Sequence, residues 1–140
     1  MAELDQYLKN KILKLIDEAY KAYSKESIDE TIRILNEAWD LIPEDRSTWD
    51  EGYRVAHEFI VTYFSVGKVV EAEKWVEFYL KTDNRFRNFG RGELMAGRIA
   101  FELGSFDEAK RLFAIADQKS EGRVWKNKVD AKYFKFYKQK

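Results

Sequence analysis

Chemistry in this 140-residue chain would begin with side chains able to move a proton, hold a metal or cradle a phosphate. The one histidine, His57, stands beside Glu58, and there is no cysteine. A general base needs a nucleophile or a substrate within hydrogen-bond reach, and the residues around His57 nominate neither. A zinc site needs three or four ligands of the right types and spacing, which one histidine without cysteine does not offer. Gly90-Arg91-Gly92 lacks both the GxGxxG spacing and the lysine of a phosphate loop. The carboxylate pairs Asp17-Glu18, Asp29-Glu30 and Asp107-Glu108 suit helix starts and solvated faces. We read no catalytic residue, metal ligand or cofactor here, and expect a protein that is not an enzyme.

Binding chemistry is better supplied. Arg85-Phe86-Arg87-Asn88-Phe89 alternates guanidinium and ring, a pattern that docks an acidic partner or stacks on bases. Lysines 126, 128, 132, 135, 138 and 140 are interleaved with Trp125, Tyr133, Phe134 and Tyr137. At helical spacing the rings fall mostly on one side and the lysines on the other, as a capping helix requires. With 25 basic and 25 acidic side chains the net charge is zero, which weighs against nucleic acid. The charge is nevertheless uneven. Residues 1–50 carry 12 acidic and 7 basic side chains, and residues 120–140 carry 2 and 7. Such polarity steers an oppositely charged partner to either end.

The elements that must position these groups are helices. Leu4, Leu8, Ile12, Leu15, Ile16, Ala19 and Tyr23 form one face of a first helix over about Leu4–Ser24. Ser27 and Glu30 form a capping-box pattern for a second, which Pro43 ends. Ser47 or Thr48 caps a third that runs to Gly67, and a fourth follows at once. Thr82–Gly92 reads as an irregular loop. Helices five and six hinge at Gly104, and a last helix spans Val124 to about Tyr137. No apolar run reaches the roughly 20 residues of a membrane span, and the start of the chain has no signal-peptide pattern. The expectation is an all-α, single-domain, cytoplasmic protein of seven helices: three stacked antiparallel pairs and a C-terminal cap.

One spacing recurs. Gly97-x2-Ala100-Phe101-x2-Gly104-x4-Ala109-x3-Phe113-x2-Ala116 shares its offsets with Tyr63-Phe64-x2-Gly67-x4-Ala72-x3-Val76. Helix pairs of this kind bury their apolar faces by stacking on neighbours. The cassette resembles the tetratricopeptide repeat. Aligned to it, the pairs cover roughly residues 12–45, 53–86 and 90–123, with residues 124–138 as the cap. The first copy departs from the pattern, with Glu26 at the turn glycine and Thr31 at the alanine. A narrower resemblance, through Ala38-Trp39-Asp40-Leu41-Ile42-Pro43, Phe101-Glu102-Leu103-Gly104 and Ser120-Glu121-Gly122-Arg123, is to small bacterial tetratricopeptide-like proteins found beside polymorphic toxins. Asn88-Phe89-Gly90 replaces that group's asparagine-proline-phenylalanine.

In such a stack the first helix of each pair lines the inner face. The resemblance therefore places Tyr20, Tyr23, Arg54, His57, Val61, Phe64, Arg91, Arg98 and Phe101 on a partner-binding groove, with Arg85 and Arg87 in the adjoining loop. A local pair such as Arg98–Glu102 is the alternative use of those arginines. Only Arg91 falls on a basic position of the carboxylate clamp of chaperone-binding members, with Ile16 and Tyr20 at two others. What the resemblance implies is one protein partner, most concretely a cognate toxin domain. An adaptor role, self-association and, less favoured, RNA association are the other readings. No membrane is implied.

Overall fold

The computed structural model describes residues 4–86 and 89–139, apart from the side chains of residues 83–86. Among the described residues there are seven α-helices and no strand. They are α1 (Gln6–Ser24), α2 (Ile28–Leu41), α3 (Asp50–Ser65), α4 (Val69–Phe86), α5 (Arg91–Glu102), α6 (Phe106–Ser120) and α7 (Ala131–Lys138). The chain forms two compact units, Met1–Thr82 and Asp83–Lys140.

Three turns share one backbone. In the α1–α2 turn Ser27 N donates to Ala22 O at 2.9 Å, and Glu26 N to Tyr23 O at 2.9 Å. The α3–α4 turn repeats this with Lys68 N to Tyr63 O at 2.9 Å and Gly67 N to Phe64 O at 3.1 Å. In the α5–α6 turn the bonds are Ser105 N to Ala100 O, 2.8 Å, and Gly104 N to Phe101 O, 3.0 Å. Each is a Schellman closure, which needs one residue in the left-handed region. That residue is Gly67 at φ 77°, Gly104 at φ 83° and, in the first turn, Glu26 at φ 61°. The next residue (Ser27, Lys68 or Ser105) then accepts the first bond of the second helix, from Thr31, Ala72 and Ala109 respectively. All three of those donors are buried. The turn glycine's departure at Glu26 therefore changes the residue and leaves the geometry intact.

In the first unit, α2 packs on α1 and α3. Its core contains Ile12, Leu15, Ala19, Ile34, Leu35, Ala38, Ile42, Val55 and Phe59. Aromatic rings join α2, α3 and α4: Trp75 stacks on Phe59 at 4.1 Å, and Trp39 meets Trp75 edge-on at 4.9 Å. In the second unit α5 and α6 pack around Leu94, Ile99, Ala109, Leu112, Phe113 and Ala116. Gly97 permits that approach: a Cβ there would lie 2.6 Å from the Phe113 ring.

One cap and three boundaries differ from the sequence reading. Ser27 is the N-cap of α2 but its side chain makes no capping bond, and the Glu30 carboxylate pairs with Arg33 on the same helix. Ser47 and Thr48 lie in a 3-10 turn, Arg46–Thr48, so Trp49 is the N-cap of α3. The expected loop from Thr82 is helical as far as Phe86, since Thr82 Oγ1 satisfies itself on Phe78 O and Tyr79 O. The last helix begins only at Ala131, after 3-10 turns over Arg123–Lys126 and Lys128–Asp130. Asn127 causes the break: its backbone is extended, and its side chain accepts from Val129 N at 3.2 Å.

Candidate partner-binding faces

On α3 the residues Arg54, His57, Val61 and Phe64 are spaced i, i+3, i+7 and i+10, so they share one helix face. Arg54 is exposed and is held by Asp50 one turn back, Nε to Oδ2 2.8 Å. His57 is half-buried, with Nδ1 3.6 Å from Glu58 Oε1 and its ring 5.7 Å from the Tyr79 ring. Tyr79 itself stacks on Tyr53 at 4.9 Å, and their hydroxyls lie 3.2 Å apart. Val61 and Phe64 are half-buried. On α1, Tyr20 is 60% exposed and Tyr23 half-buried. This unit thus offers rings, a histidine and a tethered guanidinium on its surface.

On α5 the same spacing holds Arg91, Arg98 and Phe101. Arg91 is exposed. Arg98 and Phe101, by contrast, are engaged by the chain's own C-terminal segment. Arg98 Nη1 lies 3.6 Å from Asp130 Oδ1, and its guanidinium sits 5.8 Å from the Tyr133 ring centroid. Phe101 meets Phe106, Tyr133 and Phe136 edge-on at 5.4, 5.3 and 4.9 Å. The Arg98 ion pair is thus with Asp130, and Glu102 feels the guanidinium at longer range. Glu102 accepts from the Tyr133 hydroxyl at 2.7 Å and from Lys132 at 2.8 Å. Arg85 lies in the last turn of α4, but its side chain, and Arg87 altogether, fall outside the described residues.

Electrostatics follow from these contacts. Burial pushes the Asp130 carboxyl above its ordinary range, against the pull of Arg98 and Arg91. Burial also works to raise Glu102, but the hydrogen bonds from Lys132 and Tyr133 outweigh it and hold the carboxyl below its usual range. Burial, with Glu102 as acceptor, drives the Tyr133 hydroxyl up. A second buried carboxylate, Glu93, meets Lys119 at 2.9 Å on the opposite pairing of α5 and α6. Neither pair was nominated by sequence. One signal was present: Asp130 is the only acid among residues 123–139, where six are basic.

Charge divides between the units. Met1–Thr82 holds 17 acidic and 11 basic side chains, a net of −6; Asp83–Lys140 holds 8 and 14, a net of +6. Among the described residues no group of three or more His, Cys, Asp or Glu could hold a metal ion, and no helix is long and apolar enough to cross a membrane. No protein-family model, curated protein or solved structure matches the chain.

Proposed function

We propose that this chain is a non-catalytic module that binds one protein partner, most concretely an immunity protein that neutralises a cognate bacterial toxin. The observation that carries the reading is the charge division, −6 on one unit and +6 on the other. Opposed fields of this size speed encounter with a charged partner and reject wrong ones. The resemblance to proteins that sit beside polymorphic toxins narrows the partner to a toxin domain. The α3 face in the first unit and, separately, Arg91 in the second are the anchors assigned to it, since arginines and rings contribute most to binding. Arg98 and Phe101 hold the C-terminal segment of the second unit in place.

The test is capture from a lysate of the native organism with this chain as bait, followed by mass spectrometry. One stoichiometric partner with a toxin-like domain is the expected result. The R54E/R91E variant should then lose that partner with helicity and melting unchanged. A spread of complex subunits would replace this reading by an adaptor role, and nucleic acid alone would overturn both.

A further inference from the structure

The outer side of the C-terminal segment is basic throughout. Residues 123–139 carry six basic side chains and one acid, Asp130, which is buried. On α7 Phe134, Lys135 and Lys138 follow Ala131 by three, four and seven positions, so the four share one face, and all four are exposed. Tyr133 is buried, and Phe136 and Tyr137 are half-buried on the other side. Lys128 and Val129 lie in the 3-10 turn that runs into α7, and Val129 is 70% exposed. The Trp125 ring meets the Phe134 ring at 5.1 Å, which brings the chain at Lys126 alongside. Lys126, Lys128, Lys135 and Lys138 form no salt bridge with any described carboxylate. The bordering acids are already engaged: Glu102 by Lys132 and Tyr133, Asp117 by Trp125 and Tyr137, and Glu121 beside Arg123.

Such a face attracts polyanions, and its other side chains choose among them. Base stacking needs an open ring. The Phe134 ring already meets Trp125 and the Lys138 ammonium, and Trp125 stacks on Tyr137 at 5.5 Å. Five of the six cations are lysines, point charges without the fork that arginine offers a phosphate backbone. Peptide recognition uses a groove or an open sheet edge, and the outer side of a helix is neither. A convex basic face with protruding apolar groups fits an extended, fluid surface instead. We propose that this face docks on an anionic lipid bilayer, with the four lysines among the headgroups and Val129 and the Phe134 edge entering the boundary with the acyl chains. Basic and apolar signals together hold a chain to a membrane where either alone holds it weakly. The contact is peripheral and needs no spanning helix. At about 0.15 M salt charges act over about 8 Å, so the bilayer feels the lysines nearest to it and the neutrality of the whole chain does not cancel them.

Flotation of the purified chain with lipid vesicles tests this, independently of any protein partner. At about 0.1 M salt the chain should float with phosphatidylcholine vesicles containing about 30% phosphatidylglycerol, and not with phosphatidylcholine alone. At about 1 M salt it should stay behind. K126Q/K128Q/K135Q/K138Q should weaken binding about 100-fold or more, since each lysine near such a surface contributes about fivefold. V129S should weaken it about fivefold. Should the quadruple variant lose helicity, K128E and K135E take its place, each expected to weaken binding about tenfold or more. No flotation with anionic vesicles, equal flotation with neutral ones, or undiminished binding by the lysine variants or by V129S would each overturn the proposal. So would tighter binding, at equal charge concentration, to duplex RNA or to poly-glutamate, which would assign the face to nucleic acid or to an acidic protein.

Discussion

Asp130 Oδ1 faces Arg98 Nη1 at 3.6 Å yet accepts no hydrogen bond, in a side chain only 4% exposed. The guanidinium is near enough to attract the carboxylate and too far to replace the water it has lost. That is why burial outweighs Arg98 and Arg91 at this site and lifts the carboxyl's affinity for its proton. A folded pKa above the unfolded one means that the site opposes folding once ionised. As pH falls through the raised value towards the unfolded one, the folded chain takes the proton first and gains stability. Asp130→Asn removes this dependence. We expect the variant to match or exceed the wild type in melting temperature at pH 7, and to lose that advantage at about pH 3, below the ordinary carboxylate value. A variant far less stable at pH 7 would show that the ion pair dominates instead.

Glu26 holds a left-handed backbone that glycine adopts without strain. Glu26→Gly should stabilise the first unit by about 1 kcal/mol, read from the midpoint of urea unfolding. Gly67→Ala and Gly104→Ala should each shift it the other way by a similar amount, because a Cβ meets nothing there and only the backbone conformation is at stake.

Gly97→Ala acts through space. The added methyl would sit 2.6 Å from the Phe113 ring, which is itself fully buried. Destabilisation of about 1–3 kcal/mol is expected. Phe113→Leu in the same chain should recover part of it, and no recovery would point to a backbone cause.

Tyr133→Phe deletes the hydroxyl that donates to Glu102. The loss should be about 1 kcal/mol, at the low end for a charged acceptor because Glu102 keeps part of its surface in solvent and the Lys132 bond. The Glu102 carboxyl, left with Lys132 and the more distant Arg98, should titrate at higher pH by NMR. Its stabilising contribution, present above the unfolded carboxylate pKa and lost as pH falls through the depressed folded one, should shrink accordingly.

The number and order of the helices were legible because Ile12–Leu15–Ala19 and Leu112–Phe113–Ala116 carry the helical period without interruption. Gly67 and Gly104 marked their turns for the same reason that they occupy them. What stayed hidden depends on contacts distant in sequence or on side chains competing with the helix. Thr82 reads as a breaker but satisfies its hydroxyl on its own helix. Asn127 reads as one polar residue of a cap yet splits it in two. Arg98 has an attractive carboxylate four residues on, and no local rule says that Asp130, 32 positions away, will take it. Of the nominated residues, Arg54 and Arg91 are exposed as expected of surface groups, while Arg98 and Phe101 are taken up by the C-terminal segment. Glu102, Lys132 and Tyr133 enter through the fold alone.

Neutrality conceals the division of charge between the units. A titration or an isoelectric focusing gel would report an unremarkable protein with a pI near 6.6. A charged surface, however, meets one part of the molecule at a time. Near that pH the chain should adhere to anion- and cation-exchange resins alike, presenting Met1–Thr82 to one and Asp83–Lys140 to the other. At molecular scale it is a zwitterion, and it will take an orientation wherever a field has a direction.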